Sequence, residues 1–202
     1  MDREGTRKNP SGVMPGAIMI ARHGRPALDR SVKLDWRAFR DWWVQYDASG
    51  LADDQAPPEA LCAAARTAHV LYCSTLRRSI ETAAAVAEGR TVIRDPVFVE
   101  APLPPPRIPG RRSPDAWGVW SRVAWWMGDS KEMESREAAE IRAEAAVATL
   151  TARALRGETV MLLAHGWFNR MMRPVLREQG WRCTHDGGDG YWSFRRYERK
   201  NP

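Results

Sequence analysis

Two histidines in this sequence directly follow short apolar runs, and the first of them has an arginine beside it. Arg22 and His23 follow the run AIMIA, and His165 follows the run VMLLA. An imidazole nitrogen can act as a nucleophile or carry a proton, and a guanidinium group donates a fork of hydrogen bonds suited to phosphate oxygens. Brought together, these side chains would bind an anion and perform chemistry on it.

A third apolar run, VLYC, ends in the same way at a polar residue. Ser74 follows it, and Arg77 and Arg78 lie at the start of a helical pattern, where backbone N–H groups and the helix dipole attract anions. Ligands of an open α/β sheet bind outside the carboxyl ends of its strands. The two histidines and the arginines are therefore expected to meet in one anion pocket.

The elements that would position these groups alternate between strand and helix. Short continuous apolar runs predict strands, and apolar residues spaced by three or four predict helices. The alternation predicts an α/β fold, a three-layer sandwich with a largely parallel sheet and helices on both faces. Predicted strands cover residues 17–21, 69–74, 91–95, 159–165 and 190–197, and predicted helices cover 35–47, 57–68, 74–89, 115–128, 135–155 and a last helix from 167 that Pro174 is expected to bend.

Two of these helix predictions specify particular residues as well as the bounds of the helix. Ser74 is expected to open the third helix, because serine is a preferred N-cap residue. In the helix over 135–155, a line of apolar residues predicts the buried face. That line consists of Ala138, Ile141, Ala145, Ala148, Ala152 and Leu155.

Composition bounds the class of protein. The chain has 202 residues, of which 44% are hydrophobic and 28% charged, so it can bury a core of one domain. Its formal net charge of +6 suits anionic partners, among which phosphorylated small molecules, nucleic acid and anionic membranes all qualify. The charge is spread along the chain with no recognised nucleic-acid motif, so neither nucleic acid nor a membrane is the expected partner.

The expected location is the cytoplasm. The three cysteines are odd in number and lack a Cys-x-x-Cys spacing, which argues against a disulfide framework and a structural zinc site. The polar start contains acidic residues, and the apolar run that follows is too short for a signal peptide or a membrane span.

The chain is expected to consist of a flexible N-terminal arm, 1–16, and a single domain, 17–202, with an insert rich in Pro and Trp at about 101–134. Six of the fourteen prolines lie within residues 101–114, which excludes regular helix or central strand there. The clustered tryptophans admit two interpretations, packing on one another and on the core, or an aromatic wall over the binding cleft. Whether the insert acts as a lid stays open.

Three segments together resemble one known family. ARHGRP, CSTLRRSIETA and LLAHGWFNR are similar, in order, to the motifs of the histidine phosphatase superfamily, the phosphoglycerate mutase-like proteins. The resemblance covers residues 17–172, and each motif follows a predicted strand. It assigns the catalytic arginine position to Arg78 and leaves Arg77 at the surface or rim.

The resemblance implies a mechanism without metal or cofactor. His23 would be the nucleophile that forms a phosphohistidine, which water then hydrolyses. Arg22, Arg78 and His165, together with Gly166, would hold the phosphate oxygens.

The resemblance is less complete around the general acid and the rim. Glu100 matches the family position for the acid, but the proline-rich run follows it, and Asp115 is a rival. Arg25-Pro26 stands where relatives often have Glu followed by Ser or Thr, so Arg25 is expected at the substrate rim without a phosphate-binding hydroxyl. Asn169 is a second candidate for the rim.

The expected function is a metal-independent phosphatase acting on phosphomonoesters of small molecules. Two alternatives stay open. One is a phosphoglycerate mutase-like phosphotransferase, and the other is a non-catalytic phosphate-binding module of the same fold. The sequence leaves the oligomeric state open.

Overall fold

Six strands form one central sheet in the computed structural model, which describes residues 13–199. Four strands, in the order β3-β2-β4-β1, are parallel, as expected from the alternating pattern. β6 runs antiparallel to β1, and β5 pairs antiparallel with β6 at the sheet edge. The strands are β1 (Ile18–Arg22), β2 (Val70–Cys73), β3 (Val92–Arg94), β4 (Val160–Ala164), β5 (Trp181–Asp186) and β6 (Phe194–Arg199).

The end of the chain differs from its prediction. The predicted last strand, 190–197, is shifted in the structure, where β6 begins at Phe194 and a loop precedes it. β5 was not expected at all. Trp181 is its only buried residue and the remaining side chains are exposed, so the apolar pattern of a strand is absent. Edge strands that face solvent carry such polar sequences.

Six α-helices and one short 3₁₀ turn, Pro96–Phe98, accompany the sheet within the described residues. Asp35 caps the first helix by accepting hydrogen bonds from the backbone of Arg37 and Ala38 at 2.9 and 3.0 Å. All six predicted helices are confirmed within a few residues, and Pro174 lies inside the last one. They are α1 (Trp36–Ala48), α2 (Glu59–Arg66), α3 (Arg77–Ala87), α4 (Pro114–Trp126), α5 (Arg136–Ala154) and α6 (Gly166–Glu178).

Two details of the helix predictions are wrong. Position 76, not Ser74, precedes the first helical residue of α3, and no side chain caps that helix. In α5 the predicted line of residues is not the buried one, since Ile141 is 67% exposed. The buried face consists of Ala139, Ala143, Ala146, Val147, Leu150, Thr151 and Ala154.

The helices cover both faces of the sheet, which confirms the three-layer architecture. Strand side chains alternate between the faces because successive residues point to opposite sides. Ile18 and Ile20 face the α5 and α6 layer, whereas Met19 and Ala21 face the α2 and α3 layer.

A third apolar cluster joins the insert to α1. Trp117 of α4 stacks on Phe39 of α1 at 5.8 Å between ring centroids, and its indole N–H donates to the Leu34 carbonyl at 2.6 Å. Most of the clustered tryptophans therefore pack on one another and on the core. Trp120 and Trp126 are about half exposed, at 50% and 47%.

The predicted arm lies mostly outside the described residues, which begin at Val13. At its end, the Gly16 amide donates to the Ala154 carbonyl at 2.8 Å, which joins it to α5. No helix within residues 13–199 is long and apolar enough to cross a membrane. The cysteines are unpaired with one another, with Cys73 buried and Cys183 exposed.

Candidate active site

The parallel register of β1 and β4 places the two histidines side by side. Arg22 pairs with Ala164, and the His23 amide donates to the Ala164 carbonyl at 2.9 Å. The next residue of each strand, His23 after β1 and His165 after β4, therefore occupies an adjacent position at the edge of the sheet. The centroids of the two imidazole rings lie 5.2 Å apart. Both imidazoles are buried.

Hydrogen bonds fix the tautomer of His23. Its Nδ1 lies 2.7 Å from the Gly24 carbonyl oxygen, which can only accept, so Nδ1 carries the proton. Nε2 therefore keeps its lone pair, and Arg78 Nε donates to it at 3.3 Å. Burial, reinforced by the Arg78 charge, lowers the pKa of His23 well below 6.5. The ring is thus a neutral imidazole whose lone pair is on Nε2.

Arg78 lies at the start of α3, fully buried, with each of its guanidinium nitrogens engaged. Nη1 donates to the Tyr46 carbonyl and Nη2 to Asp47 Oδ1, both at 3.0 Å. Burial raises the pKa of Asp47, although the Arg78 charge opposes that shift. Arg77 instead points outward and pairs with Glu81 at 2.6 Å, as expected from the motif alignment.

Ser74 orients His165. Its hydroxyl oxygen lies 2.6 Å from His165 Nε2 and accepts a hydrogen bond from the Leu76 amide at 3.3 Å. Nδ1 of His165 is buried without a hydrogen-bond partner among the described residues. Burial, with the Arg78 charge, lowers the pKa of His165 well below 6.5.

Arg22 is held by the loop between β5 and β6. Its Nη1 donates to the Asp189 carbonyl at 2.7 Å, and its guanidinium lies 4.2 Å from the centre of the Tyr191 ring. Nε of Arg22 is buried and has no partner within the described part of the chain. A Cβ on Gly166 would lie 3.1 Å from that Nε, so glycine permits the close approach of α6 to Arg22.

The two candidate acids differ in their surroundings. Glu100 is anchored at the start of α6, where its Oε1 accepts from the Phe168 amide at 2.8 Å and its Oε2 from the Trp167 amide at 3.1 Å. Asp115, in the first turn of α4, accepts from Arg30 Nε at 3.1 Å, and its side chain is 71% exposed.

These groups meet in a cleft of about 370 Å³ at the carboxyl ends of the strands. Most of the expected residues line it directly, whereas His165 is not among its lining residues, although its ring lies against that of His23. The insert forms one wall. Two tryptophans also line the cleft, Trp43 from the clustered set and Trp167 from outside it. The predicted residues along the cleft are Arg22, His23, Arg78, Glu100, Asp115 and Gly166.

Two predicted rim residues lie elsewhere. The guanidinium of Arg25 pairs with Asp54 at the surface, and Arg25 is not among the residues lining the cleft. Asn169 is buried, and its side-chain amide donates to the Ala21 carbonyl at 3.0 Å. The structure does not bring either side chain to the cleft, because each is held by another partner.

Sequence reasoning missed several residues of the site. Tyr46 and Asp47 belong to α1, Asp189 and Tyr191 to the β5–β6 loop, and Arg122 to α4. None follows an apolar strand or matches a motif, so no local signal identifies them. Within residues 13–199, no three His, Cys, Asp or Glu side chains are grouped as metal ligands would be.

Comparisons with known proteins agree with this geometry. The model of the histidine phosphatase superfamily (branch 1) matches residues 18–182, and the chain belongs to that family. No curated protein matches the sequence.

Three solved structures resemble this one. A mycobacterial glucosyl-3-phosphoglycerate phosphatase with VO3 has a TM-score of 0.59 at 20% identity, covering 92% of this chain and 98% of its own. Mycobacterial hydrolase 1 has a TM-score of 0.57 at 22% sequence identity, and the match covers 90% of each chain. A phosphoserine phosphatase mutant from Entamoeba histolytica, complexed with phosphoserine, has a TM-score of 0.51 at 13% sequence identity. The match covers 90% of this chain and 89% of that one. At these identities the likeness establishes the fold.

Proposed function

We propose that this protein hydrolyses phosphomonoesters without a metal, through a phosphohistidine on His23 Nε2. The observation that carries the proposal is the fixed tautomer of His23, whose Nδ1 donates to Gly24 while Nε2 keeps its lone pair beside Arg78. Membership of the histidine phosphatase superfamily supports it. Neutral histidine is the form that can attack phosphorus.

The first chemical step transfers the phosphoryl group to the protein. The Nε2 lone pair of His23 forms a bond to phosphorus while the bond from phosphorus to the ester oxygen breaks. Arg22 Nε, the Arg78 guanidinium and His165 Nδ1 donate to the phosphoryl oxygens and stabilise their developing charge. Two of these donors, Arg22 Nε and His165 Nδ1, have no hydrogen-bond partner within residues 13–199.

We assign the general acid to Glu100. Its proton goes to the departing ester oxygen, and its carboxylate then takes a proton from the water that attacks phosphohistidine, releasing phosphate and restoring His23. The three backbone amides of Ala101, Trp167 and Phe168 hold its oxygens at the cleft wall. Asp115 is a weaker candidate because its carboxylate pairs with Arg30.

Hydrolysis of p-nitrophenyl phosphate in EDTA tests the nucleophile. We expect the wild-type protein to be active and His23→Ala to lose activity, whereas the exposed His185→Ala serves as the matched control. Trapped phosphoprotein should be absent in His23→Ala alone. Equal activity in all three proteins would contradict the assignment of His23 as the nucleophile. Phosphate transfer to another hydroxyl of a sugar acid, without release, would favour a mutase, and phosphate binding without turnover would favour a binding module.

The choice of acid needs a leaving group that requires protonation. Glu100→Gln should lose at least about 100-fold in kcat with an alkyl phosphate and less with p-nitrophenyl phosphate, whose phenolate leaves readily. Asp115→Asn is the matched variant. It should change kcat only slightly, and by the same factor with the alkyl phosphate as with p-nitrophenyl phosphate. The opposite pattern would assign the acid to Asp115.

We further propose that the protein acts in the cytoplasm. The three cysteines are not paired with one another, and free thiols are typical of a reducing compartment. Fractionation of cells that express the native protein would test this.

A further inference from the structure

Helix α4, in the insert, is apolar on two opposite faces, and only one of them is covered. Its inner face packs in the core, where Trp117 and Trp125 are fully buried. Its outer face carries a stripe of large apolar side chains, each about half exposed or more, at the spacing of one helix face. The stripe consists of Val119, Trp120, Val123, Trp126 and Met127. Large contiguous apolar patches are rare on monomeric proteins and mark interaction sites.

Two arginines outside the stripe contact its tryptophans. The guanidinium carbon of Arg136 lies 3.8 Å from the centre of the Trp126 ring, and that of Arg112 lies 5.9 Å from the centre of the Trp120 ring. Side chains that are already held in place lose less conformational entropy when a partner binds. Tryptophan, methionine and arginine are also enriched in protein–protein interfaces. The stripe therefore has the composition and the fixed rings of such an interface.

The order of residues along the stripe is nearly the same in both directions. Val123 lies at its centre, Trp120 and Trp126 lie three residues before and after it, and Val119 and Met127 lie four residues before and after it. A two-fold axis at the centre would make two copies of α4 antiparallel and place Trp120 of each copy against Trp126 of the other. A symmetric dimer interface requires this kind of self-complementary patch.

The charges at the two ends of α4 favour the antiparallel arrangement. Arg111 and Arg112 precede the helix, Glu132 follows it, and none of the three forms an ion pair among the described residues. Asp129 and Lys131, also after the helix, pair with each other at 2.8 Å. Antiparallel pairing brings the arginines of one copy toward Glu132 of the other, whereas parallel pairing brings like charges together.

We propose that two copies of this chain associate through the outer stripe of α4, antiparallel about a two-fold axis at Val123. The inference concerns an interface and does not depend on the proposed phosphatase activity. Val119 belongs both to the stripe and to the lining of the cleft, so the second copy would lie beside the mouth of the cleft. A lipid surface or an unrelated protein could cover the apolar rings, but neither would account for the symmetric order of the stripe.

Sedimentation equilibrium over a range of protein concentrations tests the interface. We expect the wild-type protein to form a dimer that dissociates on dilution. Val123→Asp places two carboxylates together at the axis and should weaken association at least about 100-fold. Val44→Asp is the matched control, because Val44 is a more exposed valine on α1, outside the stripe, and association should be unchanged. Thermal unfolding of each protein shows that it is folded.

Charge reversal tests the antiparallel arrangement separately. Arg111→Glu and Glu132→Arg each place like charges opposite each other, so each should weaken association about 10-fold. The two reversals combined in one chain should restore the wild-type affinity, because opposite charges again face each other. An equimolar mixture of the two single variants should form mixed dimers for the same reason. Parallel helices predict no restoration in the double variant.

The contrary outcomes are distinct. A protein that stays monomeric at every concentration would overturn the proposal, and so would a dimer that Val123→Asp leaves intact. Double reversal without restoration would overturn the antiparallel arrangement. Vesicles of phosphatidylcholine and phosphatidylglycerol provide the other test. A monomer that co-sediments with them, and no longer does so after Val123→Asp, would assign the stripe to a lipid surface instead. An inactive dimer would contradict the phosphatase proposal alone, and an active monomer the interface alone.

Discussion

Arg22 donates from Nη1 to the backbone carbonyl of Asp189 at 2.7 Å, and this contact links the first of the three family motifs to the β5–β6 loop. The Asp189 carboxylate in turn accepts from Arg195 at 2.7 Å, from Arg170 at 2.9 Å and from Arg173. Burial acts to raise the pKa of the Asp189 carboxyl, but these hydrogen bonds lower that pKa below its ordinary value. The loop lies beyond residues 18–182, where the family model matches.

Asp189→Asn should loosen this loop and the arginine that depends on it. The change removes the one carboxylate partner of Arg173 among the described residues and one of the two carboxylate partners of Arg195, and both arginines are mostly buried. We expect KM for p-nitrophenyl phosphate to rise about 10-fold and the free energy of unfolding to fall by about 2 kcal/mol. Steady-state kinetics and urea unfolding measure the two effects. Asp186→Asn, in the same hairpin but outside the cleft lining, is the control, and an equal KM in both variants would contradict the positioning role.

Arg78→Lys tests whether geometry, rather than charge alone, matters at that position. A lysine ammonium cannot replace the three guanidinium hydrogen bonds to His23, Tyr46 and Asp47 at once. We expect kcat/KM for p-nitrophenyl phosphate to fall at least about 100-fold.

The adjacent Arg77→Lys is the matched control for this substitution. Its exposed ion pair with Glu81 is worth at most about 0.5 kcal/mol, so kcat/KM should be unchanged. Similar losses in both variants would mean that the motif alignment selects the wrong arginine.

The centre of the site could be predicted because it depends on local signals. His23 and His165 each follow a continuous apolar run, and parallel strands with adjacent register bring such positions together without further information. Arg77 and Arg78 are both indicated by their place at the start of a helix after the next strand, and the family resemblance selects Arg78. Physical rules about strand ends and helix starts were therefore sufficient to predict where these side chains meet, but not which of the two arginines lines the cleft.

The remainder depends on tertiary packing that no local pattern encodes. In α5, alanines occur on every side of the helix, so the apolar period is ambiguous, and packing buries Val147 and Leu150 but leaves Ile141 exposed. The same holds for Asp189, which reaches the site because the polar edge strand β5 pairs with β6.

Gly166→Ala should reduce activity without unfolding the protein. Alanine favours a helix more than glycine does by up to about 1 kcal/mol, and Gly166 begins α6. Its Cβ would nevertheless lie 3.1 Å from Arg22 Nε and push the guanidinium away. We expect KM to rise about 10-fold while the melting temperature changes little. Gly118→Ala is the control within a helix, because Gly118 also lines the cleft but the nearest atom to its Cβ would lie at 3.8 Å. An unchanged KM in Gly166→Ala would contradict the argument.

Stability should fall as the solution becomes mildly acidic. Burial, with the charge of Arg78, lowers the pKa values of His23 and His165 well below 6.5, so both stay neutral in the folded protein. In the unfolded chain the same histidines bind protons below pH 6.5. Unfolding then takes up protons, and each histidine removes about 1.4 kcal/mol of stability per pH unit in that range.

Urea unfolding at pH 7.5, 6.0 and 5.5 measures this dependence above the range where carboxylates with ordinary pKa values titrate. Asp47, whose pKa is raised by burial, is present in every variant compared. The slope of unfolding free energy against pH should be roughly halved in His165→Gln, because only His23 then contributes, and His185→Gln should keep the wild-type slope because that histidine is exposed. Comparing slopes rather than absolute stabilities removes the direct effect of each substitution on packing. A free energy of unfolding that stays constant from pH 7.5 to 5.5 would show that unfolding takes up no protons, so that both imidazoles are charged in the folded state at the lower pH. A charged His23 would lack the lone pair that the nucleophile needs.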